Sequence, residues 1–275
     1  MNYKFSVLLS VYHKEDPTFL KESIESIYFS QTLKPDEIIL VEDGPLNEEL
    51  YEVIDDLEKR IGKNIFKTLP LEKNMGLGNA LNRGLLKCEN EYVMRMDTDD
   101  IAYPERFEKQ MKYMKDHPEV DVLGSYMSEF TGNIDNIICL KTSPSNDTNM
   151  KKYMRFRDPV NHPSVLFKKS KVLEAGNYKE IFLNEDSYLW ARMLANNCVF
   201  NNIEEPLVYF RVSDDTYQRR GGWKYVKAEW KLQKEYLRLG LINNFKLIVN
   251  MILKGTVRLV PNDLRKILYL KLLRK

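Results

Sequence analysis

The chain has 275 residues, 43% of them apolar, and its 42 basic and 40 acidic residues leave a net charge of +2, which suits one large domain with or without an appendage. Its three cysteines, Cys88, Cys139 and Cys198, have no CxxC spacing, which argues against a disulfide framework or a zinc site and suits a reducing compartment. The first ten residues are too short an apolar run for a signal peptide, and no stretch has the uninterrupted apolar length of a membrane span.

The first hundred residues alternate between short apolar runs and segments with helical spacing. This alternation favours a mostly parallel, Rossmann-like sheet with helices on both faces, so the predicted fold class is α/β. In such sheets ligands collect at the carboxyl ends of the strands. The strands are predicted at residues 5–12, 37–41, 65–69 and from residue 92, and the helices at residues 18–29, 47–61 and 78–87.

Asp43 directly follows the second predicted strand, where a carboxylate can accept hydrogen bonds from a base or a ribose hydroxyl. The alternative is an ordinary Asp-Gly-Pro turn. Residues 74–84 (NMGLGNALNRG) combine glycines with a helix start, which lets backbone approach an anionic ligand. This pattern is neither GxGxxG nor a P-loop, and a loop that packs through small residues remains the alternative.

The fourth predicted strand runs into three carboxylates within four positions, those of Asp97, Asp99 and Asp100. Clustered like charges at the end of a buried strand are costly unless a cation lies beside them. Hard oxygen ligands on a short turn suit Mg²⁺ or Mn²⁺ together with a phosphorylated ligand. The alternative is a solvated acidic turn that caps the next helix, whose first turn Pro104 and Glu105 suit.

The second part of the chain, residues 116–211, is less regular. Strands are predicted at residues 120–130 and 134–141, joined by a hairpin through Gly132 and Asn133, and at residues 164–168 and 207–211; helices are predicted at residues 185–195, 222–239 and 242–275. Glu185 and Asp186 open one of these helices, where they can be capping residues or can provide a general base. His162 lies in a polar turn and can contact a phosphate, an acceptor sugar or a metal, or be structural.

The ordered motifs SVLLSVY, LVEDGP, NMGLGNALNRGL, MDTDDIAYPERFEKQ, NHPSVLFKKS, NEDSYLWARML and PLVYFRVSDD resemble family 2 glycosyltransferases of the GT-A fold. The resemblance is greatest to the bacterial enzymes that build capsule, exopolysaccharide and O-antigen chains, and it covers about residues 3–215. It implies a GT-A catalytic domain over residues 1–215, with a nucleotide-binding half (1–100) and an acceptor-binding half (101–215). Residues 216–275 then form a helical extension.

The resemblance also implies roles for individual residues. The donor side comprises Ser10, Val11, Tyr12, Asp43, Asn74, Gly76, Asn79, Asp97 and Thr98; Asp99 and Asp100 bind a divalent metal, Mn²⁺ or Mg²⁺; Asp186 is the catalytic base, with Glu185 beside it; and His162, Trp190 and Arg211 are candidate acceptor or phosphate contacts. The chain departs from the family pattern in three places. Glu42 precedes the Asp-Gly turn in place of Asp, Leu81 stands where Arg is usual, and no histidine that can reach the metal follows Arg211.

The implied reaction is an inverting displacement, in which an acceptor hydroxyl attacks the anomeric carbon while a nucleoside diphosphate, expected to be UDP, leaves. An alcohol needs a base within hydrogen-bond reach, and this role falls to Asp186. The metal on Asp99 neutralises the leaving diphosphate, with Arg211 or Lys168 as candidate helpers. The acceptor is expected to be a glycan, for example one linked to undecaprenyl diphosphate.

The C-terminal segment separates from the body by its charge. Residues 241–275 carry eight Lys and Arg and one Asp, a net charge of +7, whereas residues 1–240 carry 34 basic and 39 acidic residues, a net charge of −5. Basic amphipathic helices of this kind attract anionic lipid. The enzymes that the chain resembles often extend lipid-linked glycans at the cytoplasmic membrane face, so the resemblance implies a cytoplasmic protein bound peripherally to the inner face of the cell membrane. Packing on the domain or on a second subunit of a homo-oligomer is the alternative.

Three other functions are compatible with parts of the pattern. A glycoside hydrolase with paired carboxylates fits the strand-terminal DxDD poorly. A metal-dependent nucleotidyltransferase fits better and would release diphosphate. A non-catalytic sugar-nucleotide-binding or membrane scaffold protein would lack turnover, and the presence of Asp97, Asp99 and Asp186 argues against it. Nucleic-acid binding is not expected, because the basic residues are concentrated in an apolar tail and the body is acidic.

Overall fold

The computed structural model describes residues 4–145, 147–181, 183–212 and 222–260. Its first part is a parallel sheet flanked by helices, as predicted. The strands are β1 (Phe5–Val11), β2 (Glu37–Glu42), β3 (Phe66–Pro70) and β4 (Tyr92–Arg95), and the helices between them are α1 (Pro17–Tyr28), α2 (Glu48–Ile61) and α3 (Leu77–Lys87). The strand order is β3-β2-β1-β4 with every pair parallel, and each predicted boundary lies within one residue of the observed one.

The sheet continues into the second part of the chain with mixed strand directions. Its elements are β5 (Ile101–Ala102), α4 (Arg106–Asp116), β6 (Val122–Phe130), β7 (Ile137–Lys141), α5 (Asp147–Tyr153), a 3₁₀ turn (His162–Ser164), β8 (Leu166–Lys168), α6 (Lys169–Glu174), α7 (Glu185–Ala195) and β9 (Phe200–Arg211). β8 pairs antiparallel with β4 and β6, whereas β6 pairs parallel with β9. The predicted hairpin joins β6 to β7, and Gly132 in its turn has φ +67°. The nine strands form one sheet, so the α/β fold class is confirmed.

Some boundaries in this second part differ from the prediction. β9 begins at Phe200 rather than at residue 207. The sequence did not indicate this start, because the first half of the strand carries polar residues and its pairing with β6 shifts register between Ser125 and Met127. The short elements β5, α5 and α6 were not predicted, since they span too few residues for their periodicity to stand out. The helix after the acidic turn, α4, begins at Arg106, after Pro104 and Glu105.

The sheet separates two hydrophobic cores, because successive side chains of a strand point to opposite faces. Met94 and Met96 lie in the core that α1, α2 and α4 cover, whereas Val93 lies in the core that includes residues of α3 and α7. Residues of β4 therefore alternate between the two cores, with Val93 and Arg95 on the α7 side.

Asp16 caps the N-terminus of α1 by accepting hydrogen bonds from the backbone N–H groups of Thr18 and Phe19.

Two further helices follow the sheet, α8 (Trp223–Arg238) and α9 (Asn244–Leu259), and they pack on each other. They confirm helices in the C-terminal extension, although residues 261–275 of the predicted segment lie outside the described residues. The predicted domain boundary at residue 215 also falls outside them and stays a prediction. Within the described part of the chain, no helix combines the length and apolar character needed to span a bilayer.

Candidate active site

The carboxyl ends of β1, β2 and β4 meet at one edge of the sheet, because the three strands are parallel neighbours. Thr98 donates a hydrogen bond from Oγ1 to the carbonyl of Ser10, at 3.3 Å, and Ser23 of α1 donates to the carbonyl of Asp97, at 2.9 Å. These bonds fix the acidic turn against β1 and α1. The side chain of Val11 is fully buried, so of this residue only backbone can reach a donor, whereas Tyr12 is partly exposed.

Asp97, Asp99 and Asp100 form one cluster of carboxylates. One oxygen from each lies within 4.8 Å of the others. Burial, together with the charge of Asp97, raises the pKa of Asp99 to about 6, and burial together with Asp99 raises the pKa of Asp100. Oδ2 of Asp100 is buried and has no hydrogen-bond partner among the described residues. Three hard oxygen ligands that repel one another, one of them unsatisfied, fit a divalent cation such as Mn²⁺ or Mg²⁺.

Arg95 is a residue of this site that the sequence analysis missed. Its side chain is 1% exposed, and its Nη2 forms an ion pair with Oδ1 of Asp97. Burial opposes the charge, but the Asp97 carboxylate, together with Tyr178 and Asp100, raises the pKa of the guanidinium. An arginine between Met94 and Met96, in a strand that is otherwise apolar, was a signal in the sequence, since a buried charge requires a partner.

Asp43 holds the glycine-containing segment in place. Its Oδ1 accepts a hydrogen bond from the backbone N–H of Met75, at 2.7 Å, and its Oδ2 accepts one from Gly76, at 2.9 Å. Asn74 donates from its side-chain amide to the Asp43 carbonyl, at 3.2 Å. Both carboxylate oxygens are therefore engaged by backbone, and the predicted contact with a base or ribose would use their remaining lone pairs.

Gly44 makes this contact possible. Its φ is +86°, and a Cβ built on it would lie 2.4 Å from the backbone nitrogen of Asn74. We expect Gly44→Ala to displace the segment that Asp43 holds, to destabilise the protein by about 1–3 kcal/mol or more, and to weaken nucleotide binding. Thermal unfolding and calorimetric titration with a nucleotide measure the two effects.

Gly62→Ala is the matched control for this prediction, because Gly62 has φ +97° but no atom within 4 Å of a built Cβ. It imposes a similar backbone strain without the clash and lies at the end of α2, so it should lower stability and leave nucleotide binding unchanged. Equal nucleotide affinities of the two variants would contradict the role given to Gly44.

The glycine-containing segment leads into α3 and brings it against α7. Gly76 precedes the helix with φ +83°, and Asn79 donates from its side-chain amide to the Met75 carbonyl, at 2.9 Å. A Cβ on Gly78 would lie 3.0 Å from Cβ of Glu185. The start of α7, with its two acidic residues, therefore lies directly against the start of α3.

Asp186 lies in the first turn of α7 and accepts a hydrogen bond from the backbone N–H of Ser187, at 2.7 Å. Burial, together with the charge of Glu185, raises the pKa of Asp186 to about 6, and burial also raises the pKa of Glu185. Asp158 is a third carboxylate of this group that sequence reasoning missed, since no motif surrounds it. Burial and the charge of Asp186 raise the pKa of Asp158 to about 7.

The structure buries both Trp190 and His162, for which acceptor or phosphate contacts are predicted. Trp190 is fully buried in the core on the α7 side. His162 is buried beside it, with Nε2 3.0 Å from the hydroxyl of Tyr178, and burial together with Arg95 lowers its pKa. Both rings therefore pack against their neighbours in this core. Apolar surroundings keep the imidazole neutral, and burial of the indole contributes a large apolar surface.

Arg211 holds the acidic turn in place through both its backbone and its side chain. Its backbone N–H donates to Oδ1 of Asp100, at 2.9 Å, and its Nε donates to the carbonyl of Asp99, at 2.8 Å. Its Nη2 pairs with Glu22, at 2.6 Å, and the guanidinium lies 3.9 Å from the ring centroid of Phe19. These contacts engage Nε and Nη2 of the guanidinium, and the phosphate contact of Arg211 stays a prediction.

Lys168 is the other predicted helper for the leaving group. It lies at the end of β8, and its Nζ is 2.7 Å from the carbonyl of Pro118 and 3.1 Å from Oδ1 of Asp121. Both partners precede β6, so the charge of Lys168 is engaged there. Of the two predicted helpers for the leaving group, Arg211 is therefore the one that lies beside the acidic turn.

A parallel sheet with an acidic turn after its fourth strand and a mixed second half is the GT-A glycosyltransferase fold, and solved structures share it. TarS 1–349 of S. aureus, in complex with UDP-GlcNAc, matches with a TM-score of 0.68 at 18% identity, over 98% of this chain and 76% of that chain. The mannosyltransferase PcManGT from Pyrobaculum calidifontis, in complex with GDP-Man and Mn²⁺, matches with a TM-score of 0.59 at 12% identity, over 96% and 79%.

The particular family follows from sequence. The glycosyl transferase family 2 model matches residues 6–171, and the chain belongs to this family. It is 41% identical over 272 residues, 99% of this chain and 97% of the relative, to the UDP-Gal:alpha-D-GlcNAc-diphosphoundecaprenol beta-1,3-galactosyltransferase of Escherichia coli. It is 39% identical over 267 residues, 97% and 98% of the two chains, to the amylovoran biosynthesis glycosyltransferase AmsE of Erwinia amylovora.

Proposed function

We propose that this protein is an inverting, metal-dependent glycosyltransferase that moves a sugar from a UDP-sugar to a hydroxyl of a lipid-linked glycan in bacterial surface polysaccharide synthesis. One observation carries the proposal: three carboxylates lie within 4.8 Å of one another in the acidic turn that follows β4, at the sheet edge where Asp43 holds the glycine-containing segment. That segment leads into α3, and a Cβ on Gly78 of α3 would lie 3.0 Å from Cβ of Glu185 at the start of α7.

The relatives indicate the substrates to test first. The E. coli relative bears a name that gives UDP-Gal as donor and a GlcNAc-diphosphoundecaprenol acceptor, and its similarity extends over nearly the full length of both chains. We therefore take a UDP-hexose, beginning with UDP-galactose, as the donor. The acceptor is a GlcNAc residue linked through diphosphate to a lipid.

In this mechanism Asp186 is the general base that accepts the proton of the attacking hydroxyl. Its position in the first turn of α7 places the carboxylate on a rigid element, and its raised pKa brings it closer to neutral pH, where a base is most effective. Glu185 positions Asp186 or the acceptor. The glycine-containing segment held by Asp43 provides backbone that can approach the donor.

Asp99 and Asp100 would hold the metal, with Asp97 and Thr98 beside the nucleotide sugar. Bound there, Mn²⁺ or Mg²⁺ supplies positive charge that neutralises the leaving diphosphate. Ser213 and Asp214, which follow the last strand, lie outside the described residues.

Nucleotide binding tests the proposal in its simplest form. Calorimetric titration with UDP, GDP and CMP, each with and without Mn²⁺, should show binding of UDP that depends on the metal. Binding of none of the three under either condition would contradict the proposed donor site.

The orientation of helix α9 supports attachment to a membrane. Its polar side chains bind other residues of the protein, which leaves its apolar side exposed. Asn250 donates to Oε1 of Gln233, at 2.8 Å, and both Lys254 and Arg258 pair with Glu229, at 2.7 and 2.8 Å. Burial alone would raise the pKa of Glu229, but these two cations lower it to about 2. The opposite side of α9 is apolar and exposed; it comprises Phe245, Ile248, Ile252, Leu253 and Leu259.

An anionic lipid surface fits the two C-terminal helices together in both apolar character and charge. Residues 222–260, which include α8 and α9, carry eight Lys and Arg and two Glu, a net charge of +6. An exposed apolar side on a basic helical segment is the pattern of interfacial helices. We therefore propose that α9 places the site at the membrane surface where the lipid-linked acceptor lies.

Phe245→Ser/Ile252→Ser should weaken binding to vesicles of phosphatidylglycerol, because the two side chains are 73% and 63% exposed and would lose their insertion into lipid. Flotation of the protein with vesicles measures the effect. Leu86→Ser/Leu173→Ser removes two exposed apolar residues elsewhere and is the control. Unchanged flotation, with loss of a dimer in sedimentation, would show that a second copy covers α9 instead.

A further inference from the structure

Arg95 occupies a position where a charge is costly. It lies on β4 on the side of Val93, facing the core that α7 covers, and its side chain is 1% exposed. Removal of a guanidinium from water is unfavourable, and replacement of a whole buried ion pair by apolar residues is commonly neutral or stabilising. A role in folding alone is therefore a weak explanation for an arginine here.

The contacts of Arg95 also differ from those of a structural arginine. Its ion pair with Asp97 uses Nη2, whereas Nε and Nη1 are buried without a hydrogen-bond partner in the described part of the chain. Arg192 of α7 provides the comparison. Its guanidinium donates to the backbone carbonyls of Ala175, Asn177 and Tyr188, so its charge is spread over ordinary structural hydrogen bonds.

The charge of Arg95 acts on both sides of the site. On the donor side it forms the ion pair with Asp97. On the acceptor side it favours the ionised forms of Glu185 and Asp186. One buried cation thus lies within electrostatic reach of the carboxylates from two separate elements, β4 and α7.

We propose that Arg95 is a positioning residue that joins the two halves of the site: it fixes Asp97 through the ion pair, and from the face of β4 that α7 covers it supplies buried positive charge for the acidic start of that helix. This inference rests on the proposed function, because it assigns Arg95 to the base and the donor site of that reaction. Arg95 itself does not touch the reacting atoms. Its effect passes through the two carboxylates.

Several other titratable groups near the start of α7 influence the pKa of Asp186 that a pH profile would report. Glu185 and Asp158 are carboxylates that oppose ionisation of Asp186, and the buried hydroxyls of Tyr178 and Tyr236 lie within its field. Lys141 and Lys254 act on Asp158. Loss of Arg95 would leave the carboxylates facing one another with less positive charge, so protonation of Asp186 would occur at a higher pH.

The test uses the full chain with UDP-galactose, a GlcNAc-diphosphate lipid and Mn²⁺, and records kcat/KM against pH. Arg95→Met should move the acidic limb of this profile upward by at least about one pH unit, which is the effect expected of one nearby opposite charge. It should also weaken calorimetric binding of UDP with Mn²⁺ by about tenfold or more, because Asp97 loses its fixed position. Arg95→Lys keeps the charge, so its acidic limb should stay at the wild-type pH while UDP binding weakens.

Arg192→Met is the control for a structural role, since it removes a buried guanidinium from α7 without a carboxylate partner. It should lower the unfolding temperature and leave the acidic limb in place. An unshifted limb in folded Arg95→Met would overturn the inference. If Arg95→Met does not fold, Arg95→Lys decides the question. An upward shift of the acidic limb of Arg95→Lys, or UDP binding by this variant as tight as in the wild type, would overturn the inference. Absence of transfer by the wild type would instead overturn the proposed function.

Discussion

Replacement of Asp186 by Asn is expected to lower kcat by about 10²–10⁴-fold, the range typical of a lost general base, and to leave metal-dependent UDP binding nearly intact. The amide keeps the size of the side chain and can still accept from the N–H of Ser187, but it cannot accept the proton of the attacking hydroxyl. Asp16→Asn is the matched control, because Asn caps a helix as well as Asp does and Asp16 caps α1.

The same assignment predicts the pH dependence of the wild type. The pKa of Asp186 is raised to about 6, and the base acts only when ionised, so kcat/KM should fall as the pH is lowered through about 6. Near wild-type turnover of Asp186→Asn, with UDP binding unchanged, would show that another group is the base. Asp158, the neighbouring carboxylate, would then be the first residue to replace.

Replacement of Asp99 by Asn is expected to weaken UDP binding in the presence of Mn²⁺ by more than about 100-fold. Loss of an outer-shell partner commonly lowers metal affinity 10- to 100-fold, and a direct ligand should have a larger effect. UDP affinity in the absence of metal should change little, because the loss concerns the cation. Calorimetric titration with and without Mn²⁺ separates the two conditions.

Glu22→Gln tests a nearby carboxylate that is outside the metal cluster. Glu22 pairs with Arg211 at the surface of α1, so its loss should leave metal-dependent UDP binding within a few-fold of the wild type. If Asp99→Asn kept wild-type affinity in Mn²⁺, the metal would not be held by the acidic turn, and the donor-side account would be wrong.

The sequence predicted the nucleotide-binding half well because its signals are local. Alternating apolar runs and amphipathic helices located the elements of residues 5–95 within one residue, and polar residues at strand ends pointed to the edge where Asp43, Asp97 and Asp99 now lie. The start of β9 was missed because its first residues are polar and are held by pairing with β6, which no local pattern reveals.

The surroundings of the site residues could not be predicted where tertiary contacts decide them. Trp190 shares a helix with Asp186, but it points into the core, and Arg211 is held by Glu22 and the rings of α1 and β6. No sequence motif surrounds Asp158, and only the folded chain brings its carboxylate under the influence of Asp186. Arg95 was the one omission that the sequence could have indicated, because a charged residue within an apolar strand requires a buried partner.

Product analysis after transfer tests the central claim most directly. The protein is incubated with Mn²⁺, a synthetic GlcNAc-diphosphate lipid and each of several α-linked UDP-hexoses, beginning with UDP-galactose, and the products are analysed by NMR and by assay of the released nucleotide. The account predicts one added hexose in β linkage and one UDP released for each transfer. An α-linked product, release of inorganic diphosphate, or no consumption of any donor would contradict it.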